Sequence, residues 1–382
     1  MAATSPFDVL SWCRDESAWL RHLVETLVTL ESPSHAKAAV DRCGAELAAR
    51  IASVGGQVTR VNGGARGDHI RADFEGPGAP IALLGHFDTV WPVGQLARMP
   101  LREDDGRLYG PGIFDMKAGI AVSLLAMRAL RERSESNRPR VTILWTTDEE
   151  IGSDTSRQLI EDVARESRAV LVIEPSLPGG GAKTSRKGVG SFELVVHGIA
   201  AHAGLDPEKG ASAIHELARQ IVALDALQDL DRGVTVNAGV VSGGTRTNVI
   251  ADSARASIDV RVKTMADAAA LDAKFRALQP TRHGLRLEVS GGVDRPPLER
   301  TPAVIRLYEQ ARTVARSIGA DLSEGAAGGG SDGNFTAALG VPTLDGLGPR
   351  GDGAHALHEH VQLDDLPWRA AFLALLLRHL DQ

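Results

Sequence analysis

Five clusters of histidine and carboxylate residues stand out in the sequence, and three of them directly follow short apolar runs. Gly85-His86-Phe87-Asp88 comes at the end of the run that starts at Ile81, Asp148-Glu149-Glu150 after Val141 to Trp145, and Glu174 after Ala169 to Ile173. A fourth cluster, Tyr109 to Lys117 (YGPGIFDMK), leads into a helical pattern with Asp115 near its start. A fifth, Gly351 to His360 (GDGAHALHEH), offers His355, His358 and His360. A single acid at a strand end is ordinarily a cap or a solvated side chain. Five clusters at equivalent ends of one sheet point to a shared purpose, because open α/β sheets place their ligands at the carboxyl ends of strands. Histidine and carboxylate without cysteine is the donor set of catalytic rather than structural zinc, and a carboxylate can bridge two ions. His86 and Asp88 stand two apart on extended chain, so their side chains face the same side. That spacing lets Asp88 hold the second nitrogen of His86 instead of binding metal itself.

The elements that position these residues follow from the apolar pattern. Ile81 to Leu84, Val141 to Trp145 and Ala169 to Ile173 read as buried strands, with helices at Ala118 to Leu130 and near Ser156 to Glu166 between them. Two helical patterns come earlier, Ser17 to Leu30 and about Ala36 to Val54, with Ser17 and Ser34 as N-caps. Strand alternating with helix at this spacing predicts α/β with a largely parallel sheet. Beyond the Gly/Lys-rich stretch Pro178 to Gly190 the pattern changes. Strands are expected at Ser191 to His197, Val234 to Val241, Ala254 to Val262 and Leu285 to Val289, with helices at Ala211 to Leu224 and Ala266 to Leu278. That is the β-α-β-β-α-β order of a ferredoxin-like unit. A helix near Pro302 to Ile318, a strand at Val341 to Leu344 and a helix from Pro367 to Leu380 read as a return to the first sheet. The expected organisation is one domain from residues 1–187 and 295–382, with a second domain, 188–294, inserted into it.

Length and composition agree with two globular domains: at 382 residues one core no longer grows. A net charge of −7, a pI near 6.0 and the lack of any Lys/Arg-rich run argue against a nucleic-acid surface. Cys13 and Cys43 fit no metal or redox spacing and are expected as reduced thiols. The first residues lack the basic start and apolar core of a secretory signal, and no apolar run nears the ~20 residues of a membrane helix. The expectation is a cytoplasmic protein with neither a nucleic acid nor a membrane as partner.

The motifs HFDT, GPGIFDMKAG, TTDEEIGS, IEPS, GIAAHAG, GGGSDGNF and GAHALHEHV, in order from about residue 80 to 362, resemble those of the co-catalytic zinc exopeptidases. That family includes glutamate carboxypeptidase, acetylornithine deacetylase, succinyl-diaminopimelate desuccinylase and aminoacylase, and the likeness is closest to the glutamate carboxypeptidase branch. The resemblance implies a mixed sheet flanked by helices, with the inserted ferredoxin-like α+β domain serving as dimerisation domain or lid. It implies two zinc ions per subunit, with cobalt or manganese as alternatives. His86, Asp115 and Glu174 would hold one ion, and Asp115, Glu150 and His355 the other, with His358 the alternative last ligand. Glu149 matches the general base and Asp88 the residue that orients His86. His202 matches a histidine that reaches the partner subunit's active site in a homodimer. Asn248 and Arg261 resemble contacts to a substrate carboxylate, and Gly330 lies in a flexible turn where backbone could approach the ligand. The lesser alternatives are a solvated edge-strand residue for Arg261 and a strand-end turn residue for His202. The activity implied is hydrolysis of the amide bond to a carboxyl-terminal amino acid in a small peptide or N-acyl amino acid, by metal-activated water. A deacylase or dipeptidase of the same chemistry is the rival. A binding protein on this fold would need a lost ligand or base, and a nucleotide-dependent enzyme would need a glycine fingerprint that GHFDTVWPVG lacks.

Overall fold

A computed structural model of the chain describes residues 6–133 and 138–381. The apolar runs form the middle of a six-stranded mixed sheet, in the order Gln57–Asn62, Asp68–Phe74, Val141–Thr146, Ile81–His86, Ala169–Val172, Thr343–Leu344. The last four are mutually parallel, and the first two are antiparallel additions at one edge. Every residue of Ile81–His86 and Val141–Thr146 is buried. Period-two alternation decides what each one meets. Ile81, Leu83, Ile143 and Leu171 join the core built with helices Ser17–Thr29, Lys37–Ser53, Ala118–Arg133, Pro302–Ser317 and Asp365–Leu380, whereas Ala82, Leu84, Leu144 and Val170 face helix Arg157–Glu166 and Phe335. Strands covered on both faces must be apolar throughout, which is why they are plain in the sequence.

The two antiparallel strands are not. Gln57–Asn62 and Asp68–Phe74 alternate polar with apolar residues, and the sequence reading left them out. The serine caps differ too. Helix Ser17–Thr29 has Glu16 at its N-cap, and the Ser17 hydroxyl donates to the Arg14 carbonyl, 2.5 Å. Helix Lys37–Ser53 starts later than expected, with Ala36 at its N-cap, which frees the Ser34 hydroxyl to donate to Asp88 Oδ2, 2.6 Å. Among the described residues no helix is long and apolar enough to cross a membrane.

The chain divides into two compact units: Met1–Thr184 with Arg300–Ala327 and Ser331–Gln382, and Ser185–Glu299 with Gly328–Gly330. In the second unit, four antiparallel strands lie in the order Thr235–Gly243, Ser253–Val262, Gly188–His197, Arg286–Arg295, with helices Ala213–Asp225 and Met265–Arg276 between them in sequence. This is a ferredoxin-like α+β arrangement. Phe192 and Phe275 stack at its centre, 4.0 Å between ring centroids. Ser212 and Thr264 cap the two helices through their hydroxyls.

Buried Glu216 ties the first of these helices to the loop before the last strand. It accepts from the Thr281 amide, 2.8 Å, from the Thr281 hydroxyl, and from Gln220, 2.8 Å. Burial works to raise its pKa, but the Thr281 and Gln220 hydrogen bonds outweigh burial and hold it below the ordinary value. A depressed carboxyl pKa adds stability above the unfolded-state value and loses it as pH falls through the folded-state value. Glu216→Gln is therefore expected to lower unfolding stability by ~1–3 kcal/mol at pH 7. Denaturant melts of both proteins should converge as pH falls below about 4.

Candidate metal centre

Seven of the expected site residues lie in the first unit, and the sheet brings six of their side chains into one cluster with Asp88 behind it. His86 ends its strand, Glu149 and Glu150 sit in the turn after Val141–Thr146, and Glu174 follows Ala169–Val172. His86 is buried; its Nε2 lies 3.2 Å from Asp115 Oδ1 and 3.5 Å from Glu174 Oε1. His355 Nε2 lies 3.4 Å from Asp115 Oδ2 and 3.2 Å from Glu150 Oε2. The two oxygens of Asp115 thus face two histidines, the disposition a bridging carboxylate needs. His355 and His358 are both exposed, and it is the distances to Asp115 and Glu150 that single out His355, whose backbone is left-handed, φ 62°. Ligand-type atoms of His86, Glu149 and Glu174 lie within 4.8 Å of one another, as do those of His86, Asp115 and Glu150. Glu149 is therefore within reach of the same volume as the ligands.

Local structure explains the placement of Asp115. Gly112 has φ 69°, and a Cβ there would sit 2.5 Å from the Thr89 side chain, so the turn requires glycine. The Asp115–Met116 peptide bond is cis. His86 turns its second nitrogen to Asp88. Its Nδ1 is 3.1 Å from the main-chain oxygen of Asp88 and 3.4 Å from the carboxylate Oδ1. Both acceptors favour a proton on Nδ1 and leave Nε2 free to bind a cation. Asp88 Oδ2 in turn accepts from Ser34 and from the Glu150 amide, 3.3 Å, linking the His86 strand to the turn that carries Glu149.

The electrostatics are those of a site built around positive charge. Burial pulls the His86 pKa down, yet Asp115, Asp88 and Glu174 hold it well above the usual value. Hydrogen bonds to Asp115, then Glu150, push His355 up to about 10. Burial would raise Asp115, but His355 and His86 keep it far below the carboxylate range. Burial raises Glu150, and its Oε1 is a buried atom with no hydrogen-bond partner among the described residues. A buried carboxylate oxygen without a donor is costly. A cation beside His86, Asp115 and Glu150 would meet that need, so the donor set and the orphaned oxygen both fit bound metal.

The remaining expected residues belong to the second unit. His202 is exposed, and its Nδ1 accepts from the Gly204 and Leu205 amides, 3.2 and 3.1 Å, so its proton sits on Nε2. Asn248 is exposed in the neighbouring loop, where its carbonyl accepts from the Ala203 amide, 3.0 Å. Arg261 donates through Nε and Nη2 to both oxygens of Asp259, 2.9 and 2.8 Å, so much of its fork is engaged within its own strand. At Gly330 a Cβ would meet Arg295 at 2.6 Å, and the Gly330 carbonyl accepts from Arg186, 2.8 Å.

Sequence reasoning missed the residues that hold the ligands in place. Besides Ser34, these are Asp332, which accepts from Thr146 and Ser153 at 3.0 and 2.5 Å, and Glu359, which accepts from Trp91 and three amides. The acid in Asp332 and in Glu359 is visible in the motifs GGGSDGNF and GAHALHEHV, but its partners lie some 180 and 245 or more residues away.

Residues 82–379 match the model of peptidase family M20/M25/M40. The chain is 31% identical to carboxypeptidase G2 from Pseudomonas sp. (strain RS-16), covering 96% of this chain and 90% of that protein. It is also 31% identical to a succinyl-diaminopimelate desuccinylase from Verminephrobacter eiseniae (strain EF01-2), covering 75% of each. Its fold resembles that of aminopeptidase PepT from Bacillus cereus, with a TM-score of 0.80 and 23% identity over 96% of this chain and 99% of that one. On the family match and the nearly full-length relationship to carboxypeptidase G2, the chain belongs to peptidase family M20/M25/M40, a family of metal-dependent hydrolases.

Proposed function

We propose that the protein is a two-metal amidohydrolase that releases a carboxyl-terminal amino acid from a peptide or N-acyl amino acid, in the manner of glutamate carboxypeptidase. The observation that carries this reading is the convergence of His86, Asp115, Glu150, Glu174 and His355 with Glu149 beside them. His86, Asp115 and Glu174 would hold one zinc ion, and Asp115, Glu150 and His355 the second. When bound, the ions supply Lewis acidity, which makes water a nucleophile near neutral pH and offsets charge on the attacked carbonyl. Glu149 takes the proton released as water adds to the amide carbon and delivers it to the leaving nitrogen. His202, with its proton fixed on Nε2, donates to the developing oxyanion. Arg261 receives the carboxylate of the leaving residue, exchanging part of its pairing with Asp259.

The relatedness to desuccinylases supports a second reading, in which an acyl group rather than a peptide precedes the scissile bond. A hydrolysis panel of N-acyl amino acids, dipeptides and aroyl-glutamates on zinc-loaded protein separates the two. Preference for aroyl-glutamates favours the first reading, and preference for short acyl groups replaces it with the second.

We further propose a homodimer formed through the second unit. Thr235–Gly243 is an edge strand with Val240 and Val241 exposed, and the adjacent helix exposes Ile214 and Val222. An unpaired apolar edge of this kind is suited to an isologous contact. In such a dimer His202 serves the partner's site.

Three outcomes test these assignments. Glu149→Gln should retain both metals and lose turnover by about 10²- to 10⁴-fold. Asp115→Asn should lose metal as well, by elemental analysis; equal metal loss in both would reverse the roles of base and ligand. Amidating the substrate carboxylate should cost about 2–5 kcal/mol in kcat/KM. Arg261→Ala should shrink that gap, and equal rates on amide and acid would rule out the carboxypeptidase reading. Finally, His202→Ala and Glu149→Gln subunits, each inactive alone, should regain activity when mixed and exchanged. A fully active monomer contradicts the shared site.

A further inference from the structure

Glu359 is buried beside the cluster without belonging to it. Its Oε1 accepts from the amides of Phe114 and Asp115, 2.9 and 3.1 Å; its Oε2 accepts from the Gly112 amide, 2.9 Å, and the Trp91 indole, 2.8 Å. A carboxylate has about four lone-pair sites. All are taken, so Glu359 has no oxygen left for a cation. Its own carbonyl also accepts from Gly110, 3.3 Å.

These partners belong to different ligand-bearing segments. Gly112 to Asp115 ends on the bridging carboxylate, Trp91 lies three residues past Asp88, and Glu359 itself stands four residues after His355. Charge-assisted hydrogen bonds to main-chain amides are strong and fix direction as well as distance. Resting on the reading of Asp115 and His355 as metal ligands, we propose that Glu359 is a positioning residue: its carboxylate clasps the three segments so that the metal cradle is assembled before any cation arrives. Without it, three amides at the Gly112 turn lose their acceptor, and Asp115 is free to swing away from His86 and His355.

The test is zinc titration of metal-stripped full-length protein against a chromophoric chelator, with tryptophan emission followed in parallel. Glu359→Gln keeps the shape but puts an amide NH2 against N–H donors. It should weaken zinc binding by about 10- to 100-fold, the usual effect of losing a group that orients ligands. It should also shift an emission component that is absent when the same change is made in Trp91→Phe protein. Wild-type zinc affinity in folded Glu359→Gln overturns the proposal. If circular dichroism shows that variant to be unfolded, Trp91→Phe decides: losing one of the four donors should weaken zinc by roughly two- to tenfold, and unchanged affinity overturns the proposal. Zinc affinity is read without substrate, so a wild-type chain that binds zinc and hydrolyses nothing sinks the enzymatic reading and leaves this one standing.

Discussion

Four carboxylates, from Asp115, Glu149, Glu150 and Glu174, are gathered at the end of a sheet, and the mutual repulsion of these partly or wholly buried groups sets the terms for everything around them. Like charges a few ångströms apart cannot all stay ionised unless positive charge is present and each group is held from behind. In the protein alone Lys183 lies 4.0 Å from Glu174, and His86 and His355 are both driven towards protonation by the acids facing them. Metal ions would take over that role with the histidines neutral, which ties metal binding to proton release.

The holding from behind is done by groups that touch no ligand volume. Ser34 and the Glu150 amide fix Asp88, which fixes His86. Asp148 accepts from the Thr155 amide and hydroxyl, both 2.7 Å, closing the turn that presents Glu149 and Glu150. Asp332 reaches the same turn through Ser153 and the adjoining strand through Thr146. Buried His69 bridges Thr147 and Thr155, 3.0 and 3.1 Å, and burial keeps its pKa down, so it serves as a neutral linker in an acidic surrounding. The network is not fully closed: Asp88 Oδ1 and Asp148 Oδ1 are buried with no hydrogen-bond partner among the described residues, which adds to the cost of the negative charge gathered here.

This division explains what was legible in the sequence. The parallel strands were readable because burial on both faces demands unbroken apolar runs, and the acids after them because nothing in a strand-end turn calls for so many. Gln57–Asn62 and Asp68–Phe74 were not, since the first is a largely exposed edge strand and the second keeps polar residues among its buried ones, which dilutes the pattern. Ser34 was misread as a cap because a serine before a helix has that local meaning by default, and only the chain returning 54 residues later gives it another. The Glu359–Trp91 contact spans 268 residues, and no local rule reaches so far. Local chemistry writes the ligands; long-range packing writes their supports.

Substrate choice is harder to read for a related reason. The clustered acids and histidines are under strict constraint, since a misplaced carboxylate leaves charge uncompensated. His202 and Asn248 sit on exposed loops of the second unit, and Arg261 is satisfied within its own strand by Asp259. Exposed groups solvated by water accept many alternatives at little energetic cost, so the fold does little to fix their identities. His202 is the exception that locates the boundary. Two main-chain amides on Nδ1 fix its tautomer and leave a donor at Nε2 in solvent, a preorganisation that stability does not require. On the proposed reading, that preset donor is what His202 would bring to the partner's oxyanion.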